Sequence, residues 1–155
     1  MGKVALGKKV PDFTLPASAD ATWSLKDAAG EKLVLFFYPR DMTPGCTIEN
    51  QNFRDLQGAF RRAGAQVIGV SRDSCASHEK FRTKEKLNFT LLSDAQETAC
   101  RLFDVIKEKN MYGKKVFGIE RSTFLIDAKG VLAREWRKVK VEGHAEEVLE
   151  AARGL

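Results

Sequence analysis

The stretch that most constrains the fold is the uninterrupted apolar and aromatic run KLVLFFY at residues 32–38. A strand that is covered on both faces has such a run, whereas a strand with one solvated face alternates. A segment with helical spacing follows and leads into a second short apolar run, AQVIGV, at residues 65–70. This strand–helix–strand order is long enough for a right-handed crossover, so it predicts two parallel strands at the centre of a sheet.

Further strands and turns surround that centre. Residues 10–27 alternate apolar and polar positions around a polar turn, which predicts an N-terminal β-hairpin. Residues 89–93 suit a short strand, and residues 121–139 suit a second hairpin that turns at DAKG. Residues 107–120, with Gly113 and Gly118, are expected to form a long loop.

Four helices are expected between these strands. The first begins near Cys46 and ends at Gly64, which suits a C-cap. The second spans about Ser74 to Lys86, and the last spans residues 144–155. The third is expected to start at an Asp94 N-cap, with Glu97 at capping-box spacing. The apolar face of that third helix is expected to comprise Ala99, Leu102, Phe103 and Ile106.

This order of elements predicts an α/β fold in a single domain over residues 1–155. A mostly parallel centre with an antiparallel edge pair gives a mixed central sheet flanked by helices. With the N-terminal β-hairpin as an extension, the order fits a thioredoxin-like fold. A length of 155 residues suits one core.

Composition and charge narrow the function classes. The net charge of +5 is spread along the chain, so we expect a solvated surface and no nucleic-acid partner. A basic, non-enzymatic nucleic-acid-binding module stays open as an alternative, with REWRKVK at residues 134–140 as its strongest feature. No apolar run approaches the roughly 20 residues of a membrane helix, and no export signal is evident. We therefore expect a cytoplasmic protein without a membrane partner.

The cysteines and histidines argue against several kinds of site. The three cysteines form no CxxC pair and do not predict a disulfide framework in a chain without an export signal. With only His78 and His144 present, a zinc site is not supported, and we expect no metal and no cofactor. We expect His78 on an exposed helix face and His144 near a helix start. Neither position suggests the base that a cysteine hydrolase needs.

Cys46 carries the local signals of a reactive thiol. It lies in the first turn of the predicted helix, where free N–H groups and the helix dipole favour a thiolate. Thr43 has a hydroxyl that can donate to a sulfur or to a bound oxygen, and it equally suits the N-cap before Pro44. Pro39 ends the strand and can shield the thiol from bulk water. The competing interpretation is a buried, inert cysteine.

Residues 38–55, YPRDMTPGCTIENQNFRD, resemble the active-site segment of the peroxiredoxins, in their bacterioferritin comigratory protein (PrxQ) branch. The pattern Pro-x-x-x-Thr-x-x-Cys is met by Pro39, Thr43 and Cys46, and the similarity continues through VIGVSRDS, NFTLLSD and GIERSTFLID. The resemblance implies a thiol peroxidase in which Cys46 attacks the O–O bond of hydrogen peroxide or an organic hydroperoxide. The products are a sulfenic acid and water or an alcohol.

The same resemblance assigns roles to two further side chains. Thr43 would hydrogen-bond the peroxide. Arg121 would lower the pKa of the thiol and stabilise the charge that develops on the oxygens. From the sequence alone, Arg121 has a competing interpretation as an exposed arginine at the start of a strand. The resemblance also implies a monomer.

The step that reduces the sulfenic acid stays open. The positions at which this branch carries its second cysteine are Gln51 and Arg82 in this chain. One alternative is a one-cysteine mechanism recycled by thioredoxin, glutaredoxin or a small thiol. Another is resolution by Cys75, which should lie on the same sheet edge as Cys46, and the last is resolution by Cys100, which also suits a small core residue.

A thioredoxin-like thiol–disulfide oxidoreductase is the competing enzyme class on the same fold. Such an enzyme normally carries CxxC, but the residue three positions after Cys46 is Glu49. The sequence therefore favours the peroxidase.

Overall fold

The computed structural model describes residues 3–18 and 20–155. Its centre is a mixed five-stranded sheet. The strands of this sheet are β3 (Lys32–Phe37), β4 (Ala65–Ser71), β5 (Thr90–Ser93), β8 (Ser122–Ile126) and β9 (Leu132–Trp136). Their spatial order is β5-β4-β3-β8-β9, in which β3, β4 and β5 are parallel, β8 is antiparallel to β3 and β9 is antiparallel to β8. The predicted parallel pair at the centre is confirmed.

Strand β3 divides the core into two layers because successive side chains point to opposite faces. One face carries a cluster that includes Leu33, Leu35 and Phe37. The other face carries a cluster that includes Val34, Phe36 and Tyr38. All six side chains are buried, which confirms the interpretation of the apolar run as a strand covered on both sides.

Helices cover both faces of the sheet. The face of Phe36 packs against α1 (Pro44–Asp55), α2 (Gln57–Arg62), α3 (Cys75–Glu85) and α5 (His144–Arg153). The face of Phe37 packs against α4 (Thr98–Leu102) and the N-terminal hairpin of β1 (Thr14–Ser18) and β2 (Ala21–Ser24). The predicted hairpin is therefore confirmed. The helix expected from Cys46 to Gly64 is divided at Leu56, and Gly64 follows its second part at φ 76°, as expected of a glycine that ends a helix.

The loop expected at residues 107–120 is wrong. This stretch forms an antiparallel hairpin of β6 (Ile106–Met111) and β7 (Lys114–Ile119). Its turn places both Tyr112 (φ 53°) and Gly113 (φ 78°) at positive φ, which is the conformation of a type I′ turn. A tyrosine at such a position and the many lysines of both strands conceal the hairpin in the sequence.

The third helix is shorter than predicted, and its expected capping box is wrong. It begins at Thr98 after Glu97, and the chain leaves the helix before Ile106, which instead starts β6. Asp94 lies outside the helix but still satisfies its first turn, because its Oδ2 accepts the backbone N–H of Cys100 at 2.6 Å. A turn at residues 94–97 therefore separates the capping carboxylate from the helix that it caps.

Within the described residues, no helix combines the length and the apolar character needed to cross a membrane.

Candidate active site

Cys46 lies where open α/β sheets place their sites, beyond the carboxyl end of parallel strands. Strand β3 ends at Phe37, a short loop follows, and Pro44 opens α1 at its first position, as predicted. Cys46 is therefore in the first turn, where unpaired backbone N–H groups favour an anion. The residue is 1% exposed, so only small reactants reach its sulfur in this conformation.

Arg121 is the charged partner of Cys46. It immediately precedes β8, the neighbour of β3, and its Nη2 donates to Cys46 Sγ at 3.4 Å. Its Nη1 donates to Glu49 Oε1 at 2.6 Å. The interpretation of Arg121 as an exposed arginine is wrong, since its side chain is only 17% exposed. The fold therefore places a cation within hydrogen-bonding distance of the Cys46 sulfur.

Gly45 allows the guanidinium of Arg121 to lie close to the first turn of α1. A Cβ atom at Gly45 would lie 3.3 Å from Nη2 of Arg121, which is tighter than ordinary van der Waals contact. Any larger side chain before Cys46 would displace the arginine or the first turn of α1.

Glu49 is a site residue that the sequence reasoning missed as a functional group. It is 1% exposed, its Oε1 accepts from Arg121, and its Oε2 has no protein partner among the described residues. Burial raises the pKa of Glu49 from 4.5 to about 7, although the positive charge and hydrogen bond of Arg121 act in the opposite direction. The spacing along α1 could have identified Glu49. Cys46, Glu49 and Phe53 lie on one face of the helix, and a carboxylate on an otherwise apolar face needs a buried partner.

Two neighbouring side chains stabilise the positive charge of Arg121. Burial acts to lower the pKa of Arg121, but Glu49 and Cys46 outweigh it and raise the pKa above its ordinary value. The guanidinium is therefore a permanent cation that two side chains of α1 hold in place. A fixed cation of this kind can stabilise negative charge that develops next to it.

Thr43 and Pro39 form the edge of the site. Thr43 has the extended backbone of an N-cap residue, but its Oγ1 makes no capping bond and instead donates to the carbonyl of Arg40 at 2.9 Å. Pro39 is half-buried and lines an adjoining cleft of about 590 Å³. The far wall of this cleft is the β6–β7 hairpin, including Lys109 and Met111. The cleft gives solvent molecules a route to the edge of the site.

The two other cysteines occupy different environments. Cys75 is the first residue of α3 and is half-buried. It lies on the carboxyl edge of β4, next to the edge of β3 from which Cys46 extends. Cys100 is fully buried in α4, and burial, reinforced by the negative charge of Asp94, raises its pKa far above the ordinary value. All three cysteines are free thiols.

The expectation of an exposed His78 is wrong, whereas His144 begins α5 as expected. His78 lies on the inner face of α3 and is 1% exposed, and its ring hydrogen-bonds to Asp41 at 2.8 Å. His144 is also buried, with Nε2 2.8 Å from Oγ1 of Thr123, and burial lowers its pKa to about 4. The sequence analysis misplaced His78 because α3 has little apolar periodicity and because a polar side chain with buried partners looks like a surface residue.

Comparison with known proteins decides the family. The AhpC/TSA family model matches residues 6–135. Peroxiredoxin Bcp of Xanthomonas campestris is 54% identical over 140 residues, which cover 90% of this chain and 88% of that protein. Peroxiredoxin Bcp of Bacillus subtilis is 47% identical over 98% of this chain and 97% of that protein.

The chain belongs to the AhpC/TSA family, as a peroxiredoxin of the Bcp/PrxQ branch. A solved structure of a mutant Xylella fastidiosa PrxQ matches with a TM-score of 0.92 and 42% identity, covering 99% of this chain and 98% of that one. A structure of Xanthomonas campestris bacterioferritin comigratory protein matches with a TM-score of 0.87 and 51% identity, covering 92% and 90%. The predicted thioredoxin-like fold is confirmed, and this peroxiredoxin is a thiol peroxidase that takes a peroxide substrate and a thiol reductant.

Proposed function

We propose that Cys46 is the peroxidatic cysteine and that Arg121, Thr43 and Pro39 form its active site. The observation that carries this proposal is the 3.4 Å contact between Arg121 Nη2 and Cys46 Sγ in the first turn of α1. Of the three cysteines, only Cys46 combines a helix start with a cation among the described residues at hydrogen-bonding distance. Cys100 is buried without a cation at hydrogen-bonding distance, and burial favours its neutral thiol.

The proposed chemistry is a displacement at oxygen. The Cys46 thiolate attacks the terminal oxygen of hydrogen peroxide or of an organic hydroperoxide, and an S–O bond forms as the O–O bond breaks. The leaving hydroxide or alkoxide takes up a proton and departs as water or an alcohol. The sulfur is thereby oxidised by two electrons to a sulfenic acid. Arg121 stabilises the charge on the breaking bond, and Thr43 hydrogen-bonds the bound oxygen after turning from the carbonyl of Arg40.

A related structure and an apolar cleft both support organic hydroperoxides as substrates. The Xanthomonas campestris relative has been solved in work on its alkyl peroxide reduction activity. In this chain, the cleft beside Pro39 provides apolar wall surface from Met111, Val116 and Phe117. An alkyl group there would leave water while its peroxide end reaches Cys46.

We propose that an external thiol reduces the sulfenic acid, as in a one-cysteine mechanism. A first thiolate attacks the sulfur of the sulfenic acid and forms a mixed disulfide with Cys46, while the S–O bond breaks and the leaving hydroxide takes up a proton to become water. A second thiol then releases Cys46 by exchange. Both branch positions for an internal second thiol are occupied by other side chains, and the amide of Gln51 donates to Glu85 at 2.7 Å. Thioredoxin, glutaredoxin and a small thiol are the candidate reductants. All three cysteines are free thiols, as expected of a protein in the reducing cytoplasm. We propose that the protein acts there as a monomer.

The alternative route uses Cys75. Helices α1 and α3 begin at neighbouring parallel strands, so both thiols lie on one sheet edge. A disulfide requires Cα atoms within about 7 Å, and on this route we expect the first turn of α1 to unwind before Cys46 meets Cys75. Cys100 remains the third route, and it would require α4 to unfold because its thiol is fully buried.

Replacing each cysteine tests the assignment. Cys46→Ser should abolish peroxide consumption with thioredoxin as reductant, whereas Cys100→Ser should retain it, as a matched change at another buried thiol. Activity that survives Cys46→Ser would overturn the assignment.

Peptide mapping after one turnover with hydrogen peroxide tests the reducing step. A Cys46 sulfenic acid trapped by dimedone, with no internal disulfide, is expected. A Cys46–Cys75 or Cys46–Cys100 peptide would replace the one-cysteine mechanism by the corresponding internal route.

A further inference from the structure

A buried polar cluster lies beneath the loop that carries the active site, and the peroxidase chemistry leaves it unused. Its centre is the pair formed by Asp41, in the loop between β3 and α1, and His78, on α3. Their side chains are each 2% exposed, and His78 Nδ1 lies 2.8 Å from Asp41 Oδ2. Residues that are 37 positions apart thus join the active-site loop to a separate helix inside the core.

Both ring nitrogens of His78 have buried partners. Its Nε2 lies 3.0 Å from the carbonyl oxygen of Leu92, and its Nδ1 lies 2.8 Å from Oδ2 of Asp41. The pKa of Asp41 is lowered: burial alone would raise it, but hydrogen bonds from His78, Tyr38 and Ser77 outweigh burial. Asp41 is therefore a buried carboxylate that His78 holds from α3.

Both carboxylate oxygens of Asp41 have hydrogen-bond partners. Its Oδ1 accepts from the hydroxyl of Tyr38 at 2.6 Å, and its Oδ2 accepts from Ser77 Oγ at 2.7 Å as well as from His78. A buried carboxylate holds its geometry when its hydrogen-bonding capacity is satisfied, and removing a donor leaves a charge without that partner. The cluster is therefore a rigid connection between the loop and α3.

The loop backbone is held at the same place. The N–H of Asp41 donates to Asp73 Oδ2 at 2.9 Å. The next residue, Met42, has φ 64°, a left-handed conformation that is unfavourable for a side chain other than glycine. A strained residue persists only where its surroundings hold it. The anchors on Asp41 and the Thr43 bond to Arg40 flank Met42 and provide that hold.

We propose that Asp41 and His78 are positioning residues that keep the active-site loop closed over Cys46 and thereby set the balance between the two half-reactions. This inference rests on the proposed role of Cys46. A peroxide is small and meets the thiolate beside Arg121 in the closed loop. A reducing thiol must form an S–S bond with a sulfur that is 1% exposed, so the loop has to open for that step. Loosening the pair then slows peroxide reduction and speeds reduction of the sulfenic acid.

Two substitutions of His78 separate its two contacts. In His78→Asn the amide nitrogen replaces Nδ1 and keeps a hydrogen bond to Asp41, whereas in His78→Gln the amide nitrogen replaces Nε2 and keeps only the bond to Leu92. Losing a hydrogen bond to a charged group such as the Asp41 carboxylate changes an equilibrium constant by roughly ten- to a hundred-fold. The loop-opening constant should rise by about that factor in His78→Gln and by a few-fold in His78→Asn.

Three measurements on the full chain test the proposal. Amide exchange of residues 39–46 should quicken in His78→Gln by the factor given above. The rate of reduction of the oxidised enzyme by thioredoxin should rise, and the rate of oxidation by hydrogen peroxide should fall. Urea unfolding of each variant gives its global stability. Should His78→Gln fail to fold, Ser77→Ala removes one donor to Asp41 without a change in charge and should shift the rates in the same directions by less.

If Asp41 and His78 only stabilised the fold, the two half-reactions would not change in opposite directions. If both half-reactions fall together in a folded variant, or if exchange of residues 39–46 is unchanged, the proposal is overturned. Failure of the Cys46 assignment would be seen separately, because Cys46→Ser would then retain peroxidase activity while the exchange experiment still reports on the loop.

Discussion

Replacing Glu49 by Gln should change how the stability of this peroxiredoxin depends on pH. The folded protein raises the pKa of Glu49 to about 7, against 4.5 for the unperturbed group. Between these values the folded state holds a proton that the unfolded state has lost, so stability falls as pH rises. The glutamine side chain is neutral at every pH, keeps a carbonyl oxygen for Arg121 and removes the titration.

The size of the effect follows from the pKa difference. A shift of about 2.5 units at about 1.36 kcal/mol per unit gives about 3 kcal/mol of stability that is present below pH 4.5 and lost by pH 7 and above. Because the carboxyl of Glu49 is buried, water does not screen its interactions, and this free energy is not reduced. Relative to the native protein, Glu49→Gln should therefore gain about 3 kcal/mol in free energy of unfolding between pH 4.5 and pH 8.

Urea unfolding of both proteins over that pH range provides the assay, since the difference between them cancels the groups that they share. Glu79→Gln, on the exposed side of α3, is the matched control because it removes a carboxylate far from Arg121. A Glu49→Gln difference that stays flat with pH would refute the reasoning. A difference that falls with pH would show that Arg121 dominates and that the pKa is lowered.

Three further substitutions have defined outcomes. Arg121→Lys cannot reach Cys46 and Glu49 together, so the rate constant for oxidation by hydrogen peroxide, measured by stopped flow, should fall by about 100-fold or more. Gly69→Ala in β4 places a Cβ 2.7 Å from a side chain of the next strand, and it should cost about 1–3 kcal/mol in urea unfolding. Met42→Gly relieves the left-handed backbone, so the unfolding free energy should stay level or rise, and a loss would contradict the assigned strain.

The parts of the fold that were predictable are those fixed by local pattern. The apolar runs at residues 32–38 and 65–70 predicted the parallel pair, and the Pro-Gly break predicted the start of α1 near Cys46. The β6–β7 hairpin was not predictable in this way, because charged side chains occupy much of it and only pairing across its turn makes it a sheet.

Parts of the site were not predictable because they depend on partners distant in the chain. Glu49 and His78 are polar side chains on helices; His78 was expected on an exposed face, and Glu49 was given no role in the site. Those partners, Arg121 and Asp41, lie 72 and 37 residues away. Spacing along one helix can show that a polar residue faces inward, but only the assembled sheet shows what it meets there.

The position of β8 has a consequence for biosynthesis. This strand pairs with β3, yet it is made long after it, and it brings Arg121 to a thiol 75 residues earlier in the chain. Because chains emerge from the N-terminus, β3, α1 and β4 are complete before their cation exists. Until β8 docks, the emerging chain carries Cys46 without the guanidinium that contacts it in the folded protein. Under the proposed role of Cys46, the onset of peroxide reactivity would mark the moment at which β8 joins the sheet.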